Sequence, residues 1–363
     1  MDANLQDKIR GCLLGGAIGD ALGYPIEFKT NIKDKQFTKF ENDRGIISDD
    51  TQMTLFIANA LLWRETRWHI RGIAMTPPEA IYLGLLDWLS TQQRVEESPK
   101  ITWIRNLPEL NILRAPGNTC ITALESGKMG TLGDPINDSK GCGGIMRLAP
   151  IGLYINTEDN IGNFSAMSCA ITHGHPLAIL SAYTLGLIIT YVTLQNQEIE
   201  VAIKKAKDKM ISWKPDAWKD GKKVHINWRA EKNKLNSIID QALALAKQDQ
   251  KDTETIKSLG SGWVAEEALA IAIYSCAKHQ DSFKDAVICA VNHNGDSDST
   301  GAIAGNIIGG KLGLNNIPDY YKNQIELKDI IMELADDIYH GVPTNVYGDV
   351  TDKTWLKKYV IIK

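Results

Sequence analysis

Two rows of glycine restrict this chain more than any other feature. Gly11, Gly15, Gly19 and Gly23 recur every four residues near the start, and Gly301, Gly305 and Gly309 repeat that spacing near the end. At 3.6 residues per turn, a four-residue period lays each row along one edge of a helix. An interior helical glycine costs about 0.5–1 kcal/mol relative to alanine, so each row needs a compensating gain, and close approach of two backbones supplies it. The spacing therefore predicts two helices packed against each other or against a common neighbour.

Helical periodicity dominates elsewhere. After Asp49, the apolar residues Met53, Phe56, Ile57, Ala60 and Leu61 fall on one stripe of a 3.6-residue helix. Similar stripes run through 177–194, 263–276 and 327–339, whereas strand signals are few, with 101–104 a short candidate. The expected fold class is all-α, with no 20–50-residue repeat to suggest a solenoid. Between about 195 and 258, Lys, Asp, Glu and Gln crowd around Trp213, Trp218 and Trp228 without a Gly/Ser or Pro-rich linker. We expect one domain over 1–363 with a charged helical elaboration at about 195–258, its tryptophans pinning it to the body or serving a partner or a lid.

Composition removes several function classes. With 40 basic against 44 acidic side chains, the net charge of −4 leaves no globally basic surface for nucleic acid. Hydrophobic residues at 44% and charged residues at 23% imply a packed core and not disorder. The six cysteines form no C-x-x-C pair, so zinc fingers and disulfide scaffolds are disfavoured and a reducing cytoplasm is the expected location. MDANLQDKIR makes a poor secretory signal, and the uncharged stretch from Leu177 to Leu194 carries enough Ser, Thr and Tyr to suit a core helix better than a membrane span.

Two acidic clusters carry the chemistry. Ser48-Asp49-Asp50-Thr51 precedes the first amphipathic stripe. It admits a plain capping box, with Asp49 as N-cap and Gln52 three residues later, but two adjacent carboxylates flanked by hydroxyls exceed what a cap requires. Asn294-Gly295-Asp296-Ser297-Asp298-Ser299-Thr300 repeats the chemistry before a helix expected to begin near Gly301. It fails the calcium-loop pattern, having no glutamate at the twelfth position from either aspartate. Together the clusters read as two halves of one oxygen-lined site suited to Mg²⁺, Mn²⁺ or Ca²⁺ and poorly suited to zinc. Asp49, Asp50, Asp296 and Asp298 would repel one another in an empty site, and two dications would neutralise them.

The remaining motifs are weaker alone. Glu27, after Pro25, reads as a surface residue; Ser139-Lys140-Gly141-Cys142-Gly143-Gly144 is a glycine-rich loop whose N–H groups could cradle phosphate. Gly309-Gly310-Lys311-Leu312 lacks the hydroxyl residue of a Walker loop. His173-Gly174-His175-Pro176 fits a helix-entry loop better than a metal site, with a substrate hydrogen bond as the other use.

Read together, GCLLGGAIGDALGYPIEF (11–28), SDDTQMTLF (48–56), RAPGNTCITAL (114–124), KGCGGIMRLAPIG (140–152), THGHP (172–176), GWVAEEALA (262–270) and NGDSDSTGAIAGNI (294–307) resemble the ADP-ribosylglycohydrolase family. The resemblance implies a compact all-α fold whose cleft holds two Mg²⁺, or Mn²⁺. It implies Ser48, Asp49 and Asp50 as one ligand set and Asp296, Asp298 and Ser299 as the other, with Glu27 and Asp298 as catalytic groups. Gly117 and the loop Lys140, Gly141, Cys142, Gly143 and Gly144 are implied as contacts to ADP-ribose, and His173 as lining the ribose or acceptor side. Cys142 stands where some relatives carry Asn, which leaves its loop a backbone role.

The implied reaction is hydrolysis of the N-glycosidic bond at C1″ of an ADP-ribosylated protein side chain, arginine being favoured, without nucleic acid or membrane. A non-catalytic ADP-ribose-binding or toxin-neutralising protein that occludes its target is the rival from another class, with an ADP-ribosylating toxin or its target as partner. A dimetal phosphoesterase is the enzymatic rival.

Overall fold

The computed structural model describes residues 3–29, 37–72, 75–93, 97–154 and 158–360. At its centre, α1 (Ala3–Gly23) runs antiparallel to a late helix, α13 (Ser297–Leu312), and the two glycine rows form the seam. Gly11 faces Gly309, Gly15 faces Gly305, and Gly19 faces Gly301. A Cβ built on Gly19 would stand 1.9 Å from the Gly301 carbonyl oxygen, and one on Gly305 would stand 2.0 Å from that of Gly15. Neither backbone can yield without parting the helices, so the seam excludes any side chain. The predicted pairing is the direct one.

Between these helices the chain lays down α2 (Asp49–Arg71), α3 (Pro77–Gln93), α4 (Asn118–Glu125), α5 (Ala149–Tyr154), α6 (Glu158–Ala170) and α7 (Pro176–Thr193). The elaboration follows as α8 (Ile199–Ser212), the strands β1 (Ala217–Lys219) and β2 (Lys222–Val224), α9 (Arg229–Leu245) and α10 (Asp252–Leu259). Then α11 (Ala265–Lys278) and α12 (Phe283–Val291) lead into α13, and α14 (Asp319–Gln324), α15 (Lys328–His340) and α16 (Lys353–Tyr359) close the bundle. The fold is all-α. Nearly every residue of α7 is buried in the core, which explains a helix long and apolar enough to cross a membrane.

Four local expectations need correction. Ser48, not Asp49, is the N-cap of α2: its hydroxyl accepts from Asp50 N. Gln52 makes no capping box. It donates to the Ile112 carbonyl and accepts from Trp88 Nε1 and Gln92 Nε2, tying α2 to α3. The helix expected near Gly301 begins four residues earlier, at Ser297, capped by Asp296. Residues 101–104 form no strand, because Asp87 Oδ2 takes the amides of Ile101 and Thr102 and a 3-10 turn follows over Trp103–Asn106.

The elaboration is helical except for the β1–β2 hairpin, which its charged sequence did not announce. Its tryptophans divide the expected task. Trp213 stacks on Tyr183 of α7 at 4.4 Å and donates to Asn163, while Trp218 stays 57% exposed. A groove of about 810 Å³ opens between α8, the hairpin and the start of α9.

Candidate metal centre and catalytic cleft

The α1–α13 seam brings the two acidic clusters together. Its last close approach sets Gly23 against the backbone of Ser297, so the end of α1 meets the start of α13. The chain then turns through Tyr24–Ile26 and delivers Glu27 beside Asp296 and Asp298, with one oxygen of each within 4.8 Å of the others. Asp49 and Asp50, in the first turn of α2, face the same space, since the charges of Asp49, Asp296 and Glu27 all act on Asp50. The helix start also favours acids there, being the positive end of its dipole.

Burial and mutual repulsion define the electrostatics. Asp49, Asp50, Asp296 and Asp298 are buried, and among the described residues no ion pair reaches them or Glu27. Burial first, then Asp296 and Asp49, push the Glu27 carboxyl up to about 8. Burial followed by neighbouring acids likewise lifts Asp49, to about 8, and raises Asp50 and Asp298 well above the usual carboxylate range. Two buried oxygens, Asp50 Oδ2 and Glu27 Oε2, have no hydrogen-bond partner among the described residues. Unpaired buried carboxylate oxygens are costly unless a cation completes them, and these hard oxygen ligands fit a divalent ion of the Mg²⁺ type.

One residue of the site escaped the sequence reading. Asp20, on α1 and fully buried, accepts from Ser48 N with both oxygens at 3.0 Å and from Thr51 N at 3.1 Å and Thr51 Oγ1 at 2.5 Å. It thereby fixes the turn that presents Asp49 and Asp50. The available signal was an acid set inside a glycine-lined helix, where an unpaired charge has no structural excuse.

The other named residues divide into those that face the cleft and those that support it. Asp49 Oδ2 accepts from Gly117 N at 3.2 Å, and a Cβ on Gly117 would meet nothing within 4 Å, so this position keeps open space at the mouth. Ser48 spends its hydroxyl on the cap, and the Ser299 hydroxyl points to the sulfurs of Cys142 and Met146 at 3.6 and 3.7 Å. Cys142 sends its thiol to Asp296 Oδ2, so its side chain serves the acid cluster. Lys140 turns away to the buried Glu266 at 2.7 Å. Glu27 is no surface acid: its carboxyl turns inward.

The glycine loop owes its composition to what lies beneath it. Cβ atoms on Gly141, Gly143 and Gly144 would stand 3.2–3.3 Å from the His173 ring, and those on Gly143 and Gly144 would also press on Cys120 and Cys169. Two of its amides are already engaged, Gly141 N with Ser139 Oγ and Cys142 N with the Trp263 carbonyl. A phosphate cradle would thus use less of this loop than its glycine count suggests. His173 is 1% exposed and lies under the loop, its ring against Gly141, Gly143 and Gly144. His175 caps α7 by accepting from Leu177 N.

Fold and site define a helical protein with a buried carboxylate cluster whose ligand atoms suit hard cations. The ADP-ribosylglycohydrolase family pattern matches residues 1–346, and the chain belongs to that family of hydrolases. It is 23% identical to the ADP-ribosyl-[dinitrogen reductase] glycohydrolase of Rhodospirillum rubrum, over 90% of this chain and 92% of the relative. It is 24% identical to the ADP-ribosylarginine hydrolase Tri1 of Serratia proteamaculans, over 93% and 80% of the two chains. Mouse ADP-ribosylhydrolase ARH3 is 23% identical over 88% and 87%. A solved structure titled an ADP-ribosylglycohydrolase-related protein complex shares the fold, with a TM-score of 0.64 at 21% identity over 93% of this chain and 99% of that one.

Proposed function

We propose that this protein releases mono-ADP-ribose from a modified arginine side chain by hydrolysing the N-glycosidic bond at C1″, with two Mg²⁺, or Mn²⁺, as cofactors. The observation that carries the reading is the meeting of five carboxylates, Glu27, Asp49, Asp50, Asp296 and Asp298, with no cationic side chain paired to them among the described residues. Glycosidic cleavage builds positive charge on the ribose ring, and a carboxylate-lined cleft stabilises it. A guanidinium acceptor suits the same field, and the Serratia relative is named for arginine.

Asp49, Asp50, Asp296 and Asp298 would hold the ions, with Ser48 and Ser299 at the edges of the set. When bound, the dications supply Lewis-acid polarisation and neutralise the clustered acids. Glu27 takes the proton of the attacking water as the C1″–N bond breaks and returns it to the departing guanidine, its inward carboxyl having an oxygen free of donors among the described residues. Asp298 orients the reacting ribose, Gly117 leaves room for the ligand, and the loop from Lys140 to Gly144 supports its phosphates. Residence in the cytoplasm belongs to the same proposal and is consistent with six free cysteines.

Mass spectrometry on a protein mono-ADP-ribosylated at arginine tests this. Free ADP-ribose should appear and should vanish with chelator and with Asp298→Ala. AMP as product would identify a phosphoesterase, and tight binding without release would identify a non-catalytic protein that occludes its target. Release from a serine-linked substrate alone would overturn the arginine assignment.

A further inference from the structure

Arg147 is a guanidinium with no exposed surface and no carboxylate partner among the described residues. It follows the glycine loop by three residues and reaches back beneath it. Its Nη2 donates to Thr172 Oγ1 at 2.7 Å, and the remaining contacts are the Ser168 carbonyl and the sulfurs of Cys120 and Met53. Thr172 Oγ1 lies 2.8 Å from His173 Nδ1. His173 in turn supports the loop, with Nε2 3.2 Å from the Cβ position of Gly141, and its ring hydrogen bond among the described residues is the one at Nδ1.

The direction of this chain follows from the donor inventory. Arginine has five N–H donors and no acceptor, so Thr172 Oγ1 must accept from it. A hydroxyl with one lone pair facing a cation turns its own proton away from that cation. The strongest acceptor then within reach is an imidazole nitrogen, whereas the Cys120 thiol is a weak one. Thr172 can then donate to Nδ1, an arrangement that leaves the ring proton on Nε2.

We propose that Arg147 and Thr172 are positioning residues that lock His173 as the neutral Nε2–H tautomer, so that the ring offers a donor at the glycine loop. A ligand lying on that loop must then present an acceptor oxygen, of a phosphate or a sugar, at Nε2. Only the nature of that ligand rests on the ADP-ribose reading; the tautomer stands independently of it. Burial and the Arg147 charge both oppose protonation of the ring, so the donor stays neutral throughout the working pH range. The arrangement also accounts for a buried unpaired arginine, which mere packing would not retain.

The test uses the full-length protein labelled with ¹⁵N-histidine, the His173 signals being assigned by their loss in His173→Asn. Two-bond nitrogen–proton correlations should show an unprotonated Nδ1 and a protonated Nε2. Thr172→Val removes the relay hydroxyl at nearly constant shape. It should let the ring redistribute its proton toward Nδ1 and should weaken binding of ADP-ribose in Mg²⁺ about tenfold, the scale of one hydrogen bond. Thr172→Ser should restore both, and melting temperatures of all variants separate these effects from unfolding. An Nδ1–H tautomer in the native protein, or a Thr172→Val variant with unchanged tautomer and affinity, would overturn the proposal. Absence of any ADP-ribose binding by the native protein, with the expected tautomer present, would instead count against the functional reading.

Discussion

The two acidic helix starts are near-twins in sequence and are held by different means. At the start of α2, an outside acid does the holding: Asp20 of α1 gathers the amides of Ser48 and Thr51 and leaves Asp49 and Asp50 to the cleft. At the start of α13, the acids hold themselves. Asp296 Oδ1 and Asp298 Oδ1 both accept from Ser299 N, and Cys142 covers the other oxygen of Asp296. The first set is positioned by a tertiary hydrogen-bond clamp and the second by its own cap on a helix already fixed by the glycine seam. Ligands of equal chemistry thus depend on unequal supports.

The seam should be the most vulnerable of these supports. Gly305→Leu drives a side chain into the Gly15 carbonyl and should cost at least about 3 kcal/mol in urea unfolding, if the variant folds at all. Gly117→Ala, which meets nothing, should leave stability unchanged and serves as the control. A next-largest effect is expected on catalysis: Asp50→Asn and Asp298→Asn should each lower kcat at least about a hundredfold, with the fold intact by circular dichroism. Unequal losses would show that the two halves of the site differ in function as well as in support.

Asp20→Asn separates the clamp from the ligands. It should weaken Mg²⁺ binding about tenfold by calorimetry, the scale of an outer residue that orients ligands, whereas Cys142→Ala should change it about threefold or less. A larger loss for Cys142→Ala would reverse the comparison.

pH should expose the repulsion that both halves share. In chelator the buried acids carry raised pKa values, so the folded state binds more protons than the unfolded chain and stability falls as pH rises. The loss should begin near pH 4, where free carboxylates titrate, and extend to about 8. Millimolar Mg²⁺ should flatten that slope and raise the melting temperature most at the alkaline end, as differential scanning fluorimetry would show. The smallest effect is expected for Lys140→Met, which leaves the buried Glu266 with Lys234 alone and should cost about 0.5–1 kcal/mol in urea unfolding.

Much of this was legible because it depends on local rules. Four-residue glycine spacing means an edge that nothing else fits, and the partner edge was readable at the other end of the chain. Paired aspartates with hydroxyls before an amphipathic stripe mean an oxygen-rich helix start. Lys140, Cys142 and His173 were harder, because a loop's sequence does not say which of its side chains turn inward. Lys140 serves Glu266, Cys142 serves Asp296, and His173 lies under its loop. The β1–β2 hairpin was missed because its strands are three residues each and carry lysines where alternation would have shown.

By itself, then, the sequence determined the helices, the glycine seam and the kinds of ligand atom the cleft contains, since these follow from periodicity and side-chain chemistry within short windows. Only the tertiary structure decided that Asp20 clamps one acid set, that Glu27 turns inward to complete the other, and that Arg147 reaches His173 through Thr172. Each of those joins residues that the chain separates but the packed core brings within hydrogen-bonding distance. Burial then converts an ordinary acid, hydroxyl or guanidinium into a group whose partner must be found.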